Sequence, residues 1–416
     1  MNMTKLAGSA AAAGLFLSLL AGCGAAPASS APAAPATTPA TATPAQSQSE
    51  FAGGSGTAAD PYQIATPAQL ASVNDFLEQS YVLTADLDLS GYENWVPIGT
   101  FQPISSSPED AETPTAALSF TGSFDGAGHT ISQVSITQPE AYGTGLFGCV
   151  GGGEAPARIH DLTVENATVT GNWLTGGVVG YQYENCTLEN VQLTGGNTIT
   201  GSSGVGGLVG GGVSDITGCT AQADIIVSGD NGGSAGVLGG GLVGCTLTDC
   251  TAAGSVKAEG AGCFGLGGLA GALQEGVSVV NCTADTTITL GENGTMAGGL
   301  LGYTGTYDET AKTLVQGCTA TVQLTAADSA YRLGGIIGGG FYLEAYKELR
   351  PVPSMYTLED CHSAGSITGG TAQGSVAGYA YRSEITNCDS TLTIDGQADA
   401  PLIGLEEDAA PAGAAA

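Results

Sequence analysis

A pair of apolar residues fenced by glycines returns through most of this chain, and no other feature constrains the fold as strongly. The pentapeptide GGLVG stands at 206–210 and again at 240–244. Variants read GGVVG at 176–180, GGLAG at 267–271, GGLLG at 298–302 and GGIIG at 334–338. The first apolar residues of the pairs are Leu146, Val178, Leu208, Leu242, Leu269, Leu300, Ile336 and Val376, at steps of 27–40 residues. A second series keeps step with it: Cys186, Cys219, Cys250, Cys282, Cys318, Cys361 and Cys388. Two markers in phase define a repeat of about 30 residues.

One such unit cannot fold alone. Burying one Leu and one Val yields roughly 3–6 kcal/mol. Three strand glycines offset roughly 1.5–3 kcal/mol of that, and ordering the remaining backbone costs far more. Stacking removes the problem, because each strand then pairs with the coil above and below and the apolar pairs become continuous ladders. No unit carries an amphipathic helical pattern. The expected fold is all-β, a right-handed parallel β-helix (solenoid), with its hand set by the default winding of parallel crossovers. Eight coils span roughly 40 Å. Adjacent side chains of a flat strand face opposite sides. The second column is Phe147, Val179, Val209, Val243, Ala270, Leu301, Ile337 and Ala377. It therefore needs a cover: loops, a bend that turns both residues inward, or a partner.

The ends of the chain read differently. Residues 1–22 have one early cation, Lys5, and an apolar stretch from Ala10 to Leu20, too short to span a bilayer. Small residues precede Cys23 in Leu20-Ala21-Gly22-Cys23. This arrangement resembles the lipobox of bacterial lipoproteins. The resemblance implies cleavage before Cys23 and a lipid on its thiol, which makes the membrane a partner. Residues 23–50 are rich in Ala, Pro and Thr and are expected to form a disordered linker. The remaining boundaries are expected at 51–140 for an N-terminal module and cap, 141–396 for the repeat β-helix and 397–416 for a disordered tail.

The repeat itself resembles bacterial proteins carrying the GLUG motif. Besides GGLVG, the second element reads YENCT at 183–187, ITGCTA at 216–221, LTDCTAAGSV at 247–256, VVNCTA at 279–284 and ITNCDS at 385–390. GSGTAADPYQIATPAQL at 54–70 and FTGSFDGAGHTISQVSI at 120–136 resemble the modules that precede such repeats. The resemblance covers about residues 53–396. It implies an exported, surface-exposed bacterial protein and names no activity.

Local features refine this picture. At 66–77, Thr66 suits an N-cap, Pro67 the first helical position and Gln69 a capping box, so a short helix is expected to close the open end of the solenoid. In YVLTADLDLSG at 81–91, Tyr81, Leu83, Ala85, Leu87 and Leu89 are expected to face in and Asp86 and Asp88 to face out as a solvated face. The aspartate of SFDGAGH, Asp125, reads first as a turn residue. The seven repeat cysteines are expected to stack as a column of free thiols, with oxidation of neighbouring pairs as the alternative. No Cys/His spacing suggests a metal, and no cofactor or catalytic set is expected.

The balance of 8 basic against 39 acidic residues argues against nucleic acid as a partner, since no cationic stripe exists to neutralise phosphates. Three of the basic residues gather around the longest interruption, FYLEAYKELRPVPSMY at 341–356: Arg332, Lys347 and Arg350. Insertions in solenoids map to exposed loops, often on the binding face. Tyr342, Tyr346, Lys347 and Arg350 are the expected ligand-contact residues. The functional expectation is a lipid-anchored, non-enzymatic surface protein that binds a host, matrix or glycan ligand. The alternatives are a β-helix polysaccharide lyase or hydrolase, argued from fold analogy alone, and a purely structural envelope component.

Overall fold

The computed structural model describes residues 51–101, 118–306, 311–342, 356–381 and 383–407. Their strands join into four sheets of 11, 14, 8 and 9 strands, called sheets I to IV. Every pairing between successive coils is parallel. One coil shows the plan. Ala157–His160 lies in sheet I, Thr163–Glu165 and Thr168–Thr170 in sheet II, Trp173–Gly176 in sheet III and Val179–Gln182 in sheet IV. The chain then re-enters sheet I at Cys186–Glu189. The architecture is the expected parallel β-helix.

The glycine-fenced pair is the corner between sheets III and IV. The backbone bends at 177–178, which turns Val178 and Val179 alike into the main core, both with no exposed surface. Of the three covers considered for the second column, the bend is the one present. A Cβ on Gly206 would stand 2.1 Å from the carbonyl oxygen of Val209 across the corner. One on Gly210 would stand 2.3 Å from the backbone carbon of Leu174 in the preceding coil. Sheets III and IV thus lean on each other at backbone distance, and only glycine fits between them.

Two expected columns are corrected by the register. Val209 pairs with Gly239, and Gly212 with Leu242. The corner of that coil is therefore Val237-Leu238, and the GGLVG at 240–244 lies within and beyond strand Gly239–Val243. Leu238, not Leu242, belongs to the first column, and Gly239, not Val243, to the second. Likewise Cys186 opens a sheet I strand and pairs with Ala157, and the strand register places Ser214 and Cys245 above it. The true cysteine column runs from Cys219 to Cys388, and its earlier rungs are Leu162 and Val191.

That column has a physical reason. Each of its cysteines follows a corner between sheets I and II, where Gly218, Asp249, Asn281, Gly317, Asp360 and Asn387 adopt left-handed φ of 51–64°, as Asp161 and Asn190 do before the rungs Leu162 and Val191. The next backbone N–H points along the stack and finds a sulfur in the following coil. Val191 N donates to Cys219 Sγ, Cys250 N to Cys282 Sγ and Cys282 N to Cys318 Sγ, each at 3.4 Å. Cysteine is small and apolar enough for the core and still accepts this bond. All ten described cysteines are free thiols.

The N-terminal end is closed by two devices. Helix Pro67–Ala71 continues as a 3₁₀ turn over Ser72–Asp75, with Thr66 accepting from Gln69 N and Gln69 Oε1 accepting from Ala65 N. Leu70 and Val73 enter the core with no exposure. The edge strand Tyr62–Ile64 is covered by the segment before it, through antiparallel bonds between Gln63 and residues 52 and 53. This second cover was not foreseen. At the other end, the tail expected to be disordered from 397 instead supplies strand Ile403–Glu407, which pairs with Ala377–Tyr381 in sheet IV. The pair Ile403 and Ala377 continues the apolar ladder, which is why the solenoid extends beyond 396.

Candidate functional site

The kink that closes sheet III against sheet IV builds a seam along the solenoid. The second residue of each sheet III strand has left-handed φ: Gly143, Leu174, Gly204, Ser234, Gly265, Met296, Arg332 and Ala372, at 51–68°. The side chains there meet the third position of the sheet IV strands. Leu174 shares one buried cluster with Tyr181, Cys149, Phe101 and Val243, and Met296 shares another with Tyr303 and Ala272. The kink is common to the coils, but its occupant changes from glycine or serine to apolar to, once, a cation.

That cation is Arg332. Its guanidinium carbon lies 4.2 Å from the ring centroid of Tyr379 and 5.4 Å from that of Tyr331. Tyr331 is 42% exposed. Its sheet III neighbours are Thr295 and Thr371. Among the described residues Arg158 pairs with Glu189, Lys257 with Glu259 and Lys312 with Glu384, while Arg332 has no carboxylate partner. Arg332 Nε is buried without a hydrogen bond. In a chain of net charge −31 an arginine held on aromatic faces, not on a carboxylate, is set up to meet an anion from outside.

Of the expected contact residues, Tyr346, Lys347 and Arg350 lie outside the described residues, as do Cys23 and the linker, and nothing is described of the Tyr342 side chain. Arg332, which the sequence grouped with them, is the member the fold places. Of the two tryptophans, Trp95 is buried and offers no platform. Trp173 is half-buried with its ring edge-on to Tyr142 at 5.5 Å.

A second group forms at the corner between sheets I and II in the early coils. Asp86 accepts from Thr130 N at 3.0 Å and meets His129 Nδ1 at 3.1 Å. Those contacts, the backbone bond first, hold its carboxyl below the usual range. Asp88 bonds instead to its own turn at Ser90 N, 2.8 Å away. A corner at 84–86 separates strands Ser80–Leu83 and Leu87–Asp88, so the expected single alternating strand is two. Asp86 and Asp88 are both exposed, as expected. One coil on, His160 Nδ1 lies 2.7 Å from Asp161 Oδ2 and 3.6 Å from Asp125 Oδ1. His160 and then Asn190 lower the Asp161 carboxyl. Asp125, His160 and Asp161 form the one group of at least three donors with metal-ligand spacing among the described residues. Asp125 and His160 are 35 residues apart, close to one repeat, and that spacing was the signal available in the sequence.

Burial pushes the Cys149 thiol, outside the column, up to about 12 and Cys186 up to about 11, and raises Cys245 and Cys263 as well, all away from the reactive thiolate form. No helix among the described residues is long and apolar enough to cross a membrane.

No family model matches the chain. Over 162 residues, 38% of its length, it is 40% identical to halomucin of Haloquadratum walsbyi, and the match covers 2% of that protein. Over 160 residues it is 29% identical to a provisionally named Gly-rich membrane protein of Evansella cellulosilytica, covering 35% of this chain and 16% of that one. The chain thus spans a small part of both relatives. Among solved structures, a provisionally assigned immunoglobulin A1 protease from Bacteroides ovatus aligns over 86% of this chain and 87% of its own, at 17% identity and a TM-score of 0.44. A likeness at that level carries no functional argument.

Proposed function

We propose that this protein is an exported, lipid-anchored surface solenoid that binds a ligand through the seam around Arg332. The lipid anchor rests on Cys23 and its lipobox-like setting, and kinship to GLUG-motif proteins rests on the repeat motifs. Membrane association is in keeping with the relative named as a membrane protein. The observation that carries the binding reading is Arg332 itself, the one described Lys or Arg without a carboxylate partner, seated between Tyr331 and Tyr379. Arginine and tyrosine dominate the energetics of recognition surfaces because they combine wide contact area with directed hydrogen bonds.

The test is a glycan and matrix-protein array probed with the chain from Gly24 onward, with and without Ca²⁺, beside Arg332→Gln. A saturable signal lost in Arg332→Gln supports the reading. A signal unchanged in that variant moves the contact elsewhere, and silence from both favours a structural envelope component. The polysaccharide lyase or hydrolase alternative draws on the His160 corner, where acids and a histidine converge. It is tested by turnover assays on acidic polysaccharides.

A further inference from the structure

We propose that Asp125, His160 and Asp161 bind one divalent first-row transition-metal ion, of the zinc type, at the corner between sheets I and II. The fold builds this site from two coils. Strand Ser123–Asp125 ends beside strand Ala157–His160, with Asp125 directly in register with His160. Asp161 follows in a left-handed conformation, φ 51°. That turn places its carboxylate at the imidazole 2.7 Å away. The three donor atoms lie within 4.8 Å of one another. An ion at about 2.0–2.2 Å from nitrogen and oxygen ligands fits such a triangle after slight opening and leaves its other positions to water.

The donors are held from behind. Asn190 Nδ2, from the next coil, donates to Asp161 Oδ1 at 3.1 Å, and Ala127 N donates to Asp125 Oδ1 at 2.7 Å. Outer contacts of this type orient metal ligands. The imidazole is largely enclosed, with 13% of its side chain exposed, and Nδ1 faces both carboxylates.

The other two histidines supply an internal comparison. His129 meets Asp86 alone, and His362 meets Asp389 alone. Those are one-to-one ion pairs. Only at His160 do two carboxylates from different coils face one ring nitrogen. The left-handed corner recurs in most coils, but the residue before it is Glu189, Thr217, Thr248, Val280, Gln316, Glu359 or Thr386 elsewhere. The shared geometry becomes a mixed nitrogen and oxygen donor set at one place. An imidazole donor with two carboxylates suits zinc and not calcium or magnesium, which prefer oxygen alone.

The test is calorimetric titration of the metal-stripped protein with Zn²⁺, and separately with Ca²⁺, backed by the visible spectrum of the Co²⁺ form. His160→Asn and the isosteric Asp161→Asn are compared with His129→Asn, which leaves the triad intact, and thermal melts confirm that each variant is folded. The expected result is one Zn²⁺ per chain, at least about tenfold weaker in His160→Asn and Asp161→Asn and unchanged in His129→Asn. Ca²⁺ should not compete. No Zn²⁺ binding, or Zn²⁺ binding that His160→Asn leaves unchanged, overturns the assignment, the latter by placing the ion on other groups such as the thiols.

Discussion

Residues 206–210 and 240–244 share the sequence GGLVG and occupy different places in the coil. In the first copy the backbone bends at 207–208 between sheets III and IV, turning Leu208 and Val209 both into the core, and Gly210 lies against the backbone of Leu174. In the second copy the leading Gly240 already stands where Gly210 would be, with its missing Cβ 2.4 Å from Gly204 C. Leu242 is a strand residue paired with Gly212 and Leu273. Gly244 bends out of the strand with φ +56°, and a Cβ there would make only an ordinary contact with Glu275 O at 3.6 Å. What distinguishes the copies is the stack. The corner needs a glycine at its start and another after the pair, and Gly236-Val237-Leu238-Gly239-Gly240 meets that demand 30 residues after the first copy. Local sequence proposes a corner; the coils on either side select the register.

The comparison can be broken first at the leucines. Leu208 and Leu242 both have no exposed surface and both belong to the main core. Leu208→Ala and Leu242→Ala should each cost about 2–5 kcal/mol in urea unfolding. If Leu242→Ala were nearly silent, the second copy would not be packed as described. A smaller effect sharpens the same lesson in the alternating run at 81–91. Asp86 reaches the next coil through Thr130 N, while Asp88 reaches only its own turn. Their carboxyls are both held below the ordinary value. A depressed folded-state pKa contributes stability above the unfolded value of about 3.9, and that contribution is lost as pH falls through the folded value. Acid melts should therefore lose part of their pH dependence below about pH 4 in Asp86→Asn and in Asp88→Asn. Only Asp86→Asn should also loosen amide protection at Thr130, as read by hydrogen exchange.

Much of the fold was legible in the sequence because its physics is periodic. The paired glycines, the cysteine series and the Thr66 to Gln69 cap each report a local requirement, and the glycines outside 240–244, the cysteines from Cys219 onward and the cap sit where their elements do. The errors share one cause. Leu242 and Cys186 match the motif but miss the register, since one strand of the stack is set by its neighbours and not by its own letters. The strand at Ile403–Glu407 was hidden because its apolar content is short, and it is ordered by pairing with Ala377–Tyr381. The candidate sites divide in the same way. Arg332 was visible as a rare cation in an acidic chain. Its seat on Tyr379 was not, because that contact joins a kinked residue of one coil to sheet IV of the next. The meeting of Asp125 with His160 is visible only after the coil length is known.

The most direct test of the claim that position in the stack sets the role of each residue is the last glycine of each copy. A Cβ on Gly210 meets backbone at 2.3 Å, whereas one on Gly244 meets nothing nearer than Glu275 O at 3.6 Å. Gly210→Ala should lower stability by more than about 3 kcal/mol, beyond the usual range for overpacking, because backbone and not a side chain must move. Gly244→Ala should cost only the left-handed strain of about 1–2 kcal/mol. Equal losses in urea unfolding would contradict the register, and with it the placement of the seam that carries Arg332.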